Sequence, residues 1–371
     1  MECFRVVPKL LNLHHFSEFV EQFHPSEDDF ILTNRFLYDS FMGEYALPST
    51  VVFQEEYGAG EPTDVMAEAI AAQMEGKSIK RIIAIGGGTV IDIAKLLALK
   101  TCTPICDLFA HKFAPVKDKE LIIIPTTCGT GSEVTNISIL ALTQLNTKLG
   151  LADDNLFADY AVLIPELLAK LPFKFFATSS IDALIHASES FVSPKATEFS
   201  KVMSVHAIQK ILSSYLKIND TTVSVPLDIV SDVLTASTFA GIAFSNAGTG
   251  AVHAMSYPFG AKYHVPHGEA NYAFFTKIFE TYLQLKPQGA ILELCCIFAK
   301  ELSCQAEDAL EELQRLLEKI MERKRLSDYG VTAADVPDFT ANVMEKQGRL
   351  TANNFTPLDK EKVAQIYTAL L

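Results

Sequence analysis

The stretch Ser245–Phe274 holds His253, His264 and His267, three of the chain's nine histidines, in the run AVHAMSYPFGAKYHVPHGEAN. Neutral imidazole is the commonest metal-binding side chain, and three in so short a span, amid glycine and proline, point to ion binding. A second cluster lies upstream in SSIDALIHASESF, where Asp182 and His186 are four residues apart. A helix would stack those two on one face. Asp182, His186, His253 and His267 together make a set of one carboxylate and three imidazoles, donors that suit a divalent Fe, Zn, Mn or Co ion. An Asp-x-x-x-His pair alone is also what an ion pair or a core histidine looks like, so the metal reading needs the fold to bring the two segments together.

A different chemistry is written in the first half. Arg81–Ile85 (RIIAI) is a β-branched run of the kind found in central parallel strands. It passes into Gly86-Gly87-Gly88-Thr89 and then VIDIAKLLAL, a strand, glycine turn and helix. Glycines let backbone amides approach a phosphate, and a helix N-terminus adds a favourable dipole. The pattern is not GxGxxG, and a tight β–α turn accounts for it equally well. Leu121–Ile124 (LIII) then feeds Pro125-Thr126-Thr127-Cys128-Gly129-Thr130-Gly131-Ser132-Glu133. Polar, glycine-bearing turns at strand C-termini are where doubly wound sheets bind nucleotides, and two of them say more than either alone. Lys148 follows, either within reach of a ribose or phosphate or a plain surface lysine.

These sites need elements to hold them. Phe30–Asn34 and Val51–Phe53 read as strands, Phe36–Tyr45 as helical, and a helix opens at Pro62-Thr63-Asp64. From about Pro165 the strands give way to helices over Pro165–Leu171, Ser180–Phe191, Ser200–Leu216, Asp228–Ala243, Ala270–Tyr282 and Ala306–Glu322. The expected architecture is therefore α/β over residues 1–164 and all-α over 165–371. Both nucleotide-type turns fall in the first domain and the histidine clusters in the second. Pockets favour domain interfaces, so a cleft there is expected to bring cofactor and ion together.

With 371 residues, 49% hydrophobic and 20% charged, the chain has material for a large core and more than one domain. A net charge of −14 argues against nucleic-acid and anionic-membrane partners, which call for basic faces. The N-terminal segment does not read as a signal peptide, and no apolar run reaches the roughly 18 residues of a membrane helix. Seven cysteines without CxxC pairing look like reduced cytoplasmic thiols.

The segments GGGTVIDIAK, PTTCGTGSEVT, DALIHASESF and HAMSYPFGAKYHVPHGEAN resemble the iron-containing (group III) alcohol dehydrogenases, from about Phe30 to Tyr282 with a weaker tail. The resemblance implies a doubly wound, Rossmann-like nucleotide-binding domain followed by an all-α domain, in a dehydroquinate synthase-like arrangement. It implies one divalent ion, Fe²⁺ or Zn²⁺, on Asp182, His186, His253 and His267. It implies NAD bound by Asn34, Gly86, Gly87, Gly88, Thr89, Asp92, Thr126, Thr127, Thr130 and Lys148. Within the family, the segments ILTNRFLY, FQEEYGAGEP, LPFKFFATSSIDALIHASESFVSP and YHVPHGEANY point to members that interconvert 4-hydroxybutyrate and succinic semialdehyde. A general primary alcohol dehydrogenase, or a metal-dependent lyase or cyclase on the same scaffold, are the other readings. A homodimer or higher homo-oligomer is expected.

Three departures stand out. Tyr257 occupies the place of a further family histidine, four residues after His253, so Tyr257 joins His267 as a catalytic candidate. Asn34 and Arg35 stand where many members have an aspartate that binds adenosine ribose, which loosens the preference for NAD over NADP. The family's C-terminal Asn-Pro-Arg is not evident near Asn353-Asn354-Phe355. A substrate carboxylate needs a local cationic or donating partner, for which Lys262, Tyr263, His264 and Tyr257 are the candidates on what reads as a loop.

Overall fold

A computed structural model of the chain describes residues 3–145, 147–221 and 224–371. It divides into two compact units, Val6–Lys170 and Leu171–Leu371, the second joined by the described residues before Val6. The division falls at Lys170 rather than at 164. The helical turn Pro165–Leu168 stays with the first unit, where Glu166 accepts the Phe16 N–H at 2.8 Å.

The first unit is built on a six-stranded parallel sheet. Its strands are β1 (Lys9–Asn12), β2 (Asp29–Thr33), β3 (Thr50–Phe53), β4 (Arg81–Gly86), β5 (Glu120–Pro125) and β8 (Tyr160–Leu163), in the order β1-β8-β5-β4-β2-β3. Strands β6 (Ile137–Leu142) and β7 (Thr147–Ala152) form a separate antiparallel hairpin. Ile82–Ile85 and Leu121–Ile124 are fully buried, as the unbroken apolar runs of central parallel strands require. Helices α1 (Phe16–Phe23), α2 (Asp64–Ala71) and α3 (Gly88–Leu97) belong to this unit. Thr63 caps α2, its hydroxyl accepting the Met66 N–H at 3.1 Å. The chain leaves β2 toward β3 on one side and β4 toward β5 on the other. The switch point where such sheets bind ligands therefore lies between the C-terminal ends of β2 and β4.

No strand occurs among the described residues of the second unit, which is an array of helices: α4 (Phe173–Val192), α5 (Glu198–Lys217), α6 (Leu227–Ala247), α7 (Ala251–Tyr263), α8 (His267–Leu285), α9 (Ala290–Leu302), α10 (Ala309–Ile320), α11 (Val336–Lys346) and α12 (Lys360–Ala369). Helix α6 is long and apolar enough to cross a membrane, where no apolar run of that length was expected. It packs against α4 and α5 and buries Ile229, Val233, Leu234, Ala240 and Ile242, as a core helix does. The segment from Tyr257 toward His267, read above as a loop, is helical through Tyr263 despite Pro258. His264 ends it in the left-handed conformation at φ 54, the Val265 N–H reaches back to the Gly260 carbonyl at 3.2 Å, and Pro266 precedes α8.

Candidate metal centre and nucleotide turns

Helix α4 carries Asp182, His186 and Glu189 on one buried face, at i, i+4 and i+7. Helix α7 brings His253 to them, and the first turn of α8 brings His267. Asp182, His186, His253 and His267 each offer an atom within 4.8 Å of all the others. The sequence-expected quartet is therefore one cluster. His264, exposed at the end of α7, lies outside it.

The donor set fits a divalent ion. His253 Nε2 and His186 Nε2 are 3.0 Å apart. Two ring nitrogens at that distance cannot both aim lone pairs at one another unless a proton or a cation is shared between them. Asp182 oxygens lie 3.8 Å from His267 Nε2 and 3.9 Å from the Nε2 atoms of His186 and His253. Burial pushes the Asp182 carboxyl up, but the fields of His186, His267 and His253 and the Asn271 amide outweigh it, leaving the group below its usual value.

Around this cluster lies a layer of buried polar partners outside the expected quartet. Glu189, 2% exposed, accepts the Val252 N–H at 2.7 Å with one oxygen and faces His253 Nδ1 at 2.6 Å with the other. A carboxylate only accepts, so Nδ1 carries the hydrogen and Nε2 presents its lone pair to the cluster. Fully buried Asn271 donates through Nδ2 to Asp182 Oδ1 at 2.7 Å, and its own oxygen accepts from Ser256. Both had a signal in the sequence: Glu189 repeats the helical face of Asp182, and Asn271 sits four residues after His267.

Tyr257 stands at the rim, its ring centroid 5.9 Å from that of His267 and 6.4 Å from that of His253. Lys262 and Tyr263 are differently placed. Lys262 Nζ is 2.5 Å from Asp335 Oδ1, and the Tyr263 hydroxyl donates to Asp335 Oδ2 at 3.0 Å. Their polar atoms tie α7 to the start of α11, because the helical continuation turns them away from the histidine face.

In the α/β unit the two glycine-bearing turns face one another at the ends of β4 and β5. Gly86 pairs with Pro125, and the Thr126 N–H donates to the Gly86 carbonyl at 3.1 Å. A Cβ on Gly87 would lie 3.3 Å from Thr127 Cγ2, and one on Gly88 3.2 Å from Thr130 Cγ2. The glycines thus keep open a cradle that side chains would fill. The Thr127 hydroxyl, buried and without a hydrogen-bond partner, fits a dinucleotide as an unused polar group there.

The remaining residues expected at the cofactor are engaged as follows. The Thr89 hydroxyl donates to the Gly60 carbonyl at 2.9 Å, and Lys148 Nζ lies 2.8 Å from Glu61. Asn34 Nδ2 donates to Glu55 at 2.8 Å. Both Asp92 oxygens accept protein hydrogens, from Ser132 at 2.8 Å and from the Ile139 N–H at 3.0 Å. Its helix neighbour Lys95, fully buried, donates to Ser132, Thr135 and the Ile137 carbonyl at 2.6–2.9 Å. Burial pulls the Lys95 ammonium down to about 8 despite Asp92 and Glu133. Asp92 and Lys95 fasten the threonine turn to α3.

Both units are similar to known proteins. Residues 12–165 match the iron-containing alcohol dehydrogenase model, and residues 176–371 match the C-terminal model of the Fe-containing alcohol dehydrogenase family. A 4-hydroxybutyrate dehydrogenase of Clostridium kluyveri is 46% identical over 370 residues, covering 100% of both chains. Long-chain-alcohol dehydrogenase 1 of Geobacillus thermodenitrificans is 32% identical over 85% of this chain and 83% of its own. Among solved structures, sulfoacetaldehyde reductase from Bifidobacterium kashiwanohense, crystallised with NAD⁺, superposes with a TM-score of 0.87 at 22% identity, covering 100% of this chain and 98% of that one. A 1,3-propanediol oxidoreductase superposes at 0.86 and 22% identity over the whole of both chains. With both halves matched by the family models and full-length identity to a member, this chain belongs to the iron-containing alcohol dehydrogenase family.

Proposed function

We propose that this protein interconverts 4-hydroxybutyrate and succinic semialdehyde by hydride transfer with NAD, aided by one divalent ion, Fe²⁺ or Zn²⁺, on Asp182, His186, His253 and His267. The observation that carries this reading is the full-length similarity to the clostridial enzyme. When bound, the ion supplies Lewis acidity toward a carbonyl or alkoxide oxygen and NAD supplies the two-electron carrier. The chain does the positioning. Glu189 holds the His253 tautomer, Asn271 orients Asp182, and Gly86–Gly88 with Thr127 leave room and a hydroxyl for the dinucleotide. Tyr257, whose ring lies beside that of His267, is in this reading the group that exchanges a proton with substrate. The free cysteines fit a reducing, cytoplasmic setting. A homodimer is part of this reading, given the symmetry preference of soluble oligomers, and light scattering checks it.

The test compares purified protein on succinic semialdehyde and on butanal with NADH, before and after chelation and after adding back Fe²⁺ or Zn²⁺. A site that pairs the carboxylate should favour the acid by ~10²-fold or more in kcat/KM. Similarity to the long-chain-alcohol enzyme favours a second reading, a general primary alcohol dehydrogenase. Equal efficiency on both substrates would select it.

A further inference from the structure

The corner where an adenosine ribose binds in doubly wound sheets lies at the C-terminal end of the strand next to the glycine-turn strand, and an acidic residue there accepts the ribose 2′-hydroxyl in NAD-selective proteins. In this chain that strand is β2. It runs parallel to β4 with Leu32 beside Ala84, so Asn34 and Gly86 lie equally far beyond that pair, at the switch point. Asn34 is neutral and Arg35 follows it, a pair that taken alone would tolerate or even attract a 2′-phosphate.

The neighbouring strand changes this. Thr33 pairs with Phe53 of β3, and the chain continues into Gln54-Glu55-Glu56. One Glu55 oxygen accepts Asn34 Nδ2 at 2.8 Å and the other accepts the Arg35 N–H at 2.7 Å. Each oxygen keeps a second lone pair for a further donor. The Arg35 guanidinium is turned aside, over the Phe53 ring at 4.0 Å and paired with Glu56 at 2.5 Å. Two carboxylates thus stand against one guanidinium, and Glu55 is fixed to the residue at the end of β2.

We infer that Glu55, held by Asn34, supplies from the turn after β3 the carboxylate that the end of β2 lacks, and so makes the protein select NADH over NADPH. This rests on the dinucleotide reading above. The carboxylate accepts the ribose 2′-hydroxyl and repels a phosphate in its place, while Glu56 keeps Arg35 from offsetting that repulsion.

The experiment measures Kd for NADH and for NADPH by fluorescence titration of the full-length wild type, E55Q and the double variant N34D/E55Q. Wild type should bind NADH more tightly. E55Q should shift the NADPH/NADH Kd ratio toward NADPH by about tenfold, the order expected for removing one nearby like charge. N34D/E55Q keeps the side-chain pair but moves the charge to the end of β2, so it should restore the NADH preference. A purely structural link between the strands would not produce that rescue. An E55Q ratio equal to that of wild type overturns the inference while the oxidoreductase reading stands. A wild type that binds neither dinucleotide overturns both.

Discussion

Glu189 Oε2 lies 2.6 Å from His253 Nδ1, both groups buried, and fixes which ring nitrogen faces the cluster of His186, His267 and Asp182. Carboxylate partners of this kind set the tautomer and basicity of a ligating histidine. E189Q keeps the shape but weakens the acceptor, and its amide can donate toward Nδ1, which favours the wrong tautomer. We expect metal affinity to fall by about tenfold or more, measured as retained Zn²⁺ or Fe²⁺ against a competing chelator. An unchanged affinity would reduce Glu189 to a packing group that caps the Val252 amide.

The two histidines flanking Pro266 should behave oppositely. His267 points into the quartet, whereas His264 is an exposed helix end with positive φ. H267A should lose bound metal and activity together. H264A should keep its metal content, and H264G should keep it while relieving the left-handed backbone. Metal content by elemental analysis decides this, and full occupancy in H267A would remove His267 from the ligand set.

Gly87 has φ −81, a value open to any residue, so a substitution there acts through space rather than backbone strain. The side chain of G87V would push into Thr127, which already lies 3.3 Å from the position of a Cβ. The Kd for NADH should rise by tenfold or so through lost backbone approach to the pyrophosphate, with metal content unchanged. A wild-type Kd in G87V would leave the turn with only a folding role.

Asp335 gives a pH prediction. The Lys262 ammonium, the Thr332 N–H and hydroxyl, and the Tyr263 hydroxyl together hold its carboxyl well below the usual carboxylate range. A depressed folded pKa stabilises the fold above the unfolded value of about 3.9, and that stabilisation disappears as pH falls through the folded value. D335N should therefore be less stable than wild type at pH 7, and the gap should close as the pH is lowered from about 4 toward 2. Urea midpoints for both proteins across that range test it. A gap independent of pH would mean that the carboxylate charge contributes nothing.

What the sequence by itself determined is what local pattern can encode. Apolar runs such as RIIAI and LIII specify buried parallel strands, and the glycine and threonine turns after them have the pattern expected of a nucleotide-binding edge. The i, i+4 spacing of Asp182 and His186 specifies a shared helix face. The antiparallel hairpin β6–β7 and the four-residue strands β1 and β8 escaped because short strands have little periodicity of their own. Helix α7 was hidden by Pro258 and Gly260, whose local cost is outweighed by burial of Val252, Ala254, Met255 and Phe259. Only the tertiary structure decided the partnerships between distant segments: Glu189 with His253, Asn271 with Asp182, Lys262 with Asp335, and Glu55 with Asn34. Each depends on helix packing or strand order, which place side chains to within a hydrogen-bond length. Residue spacing along one chain carries no information at that precision.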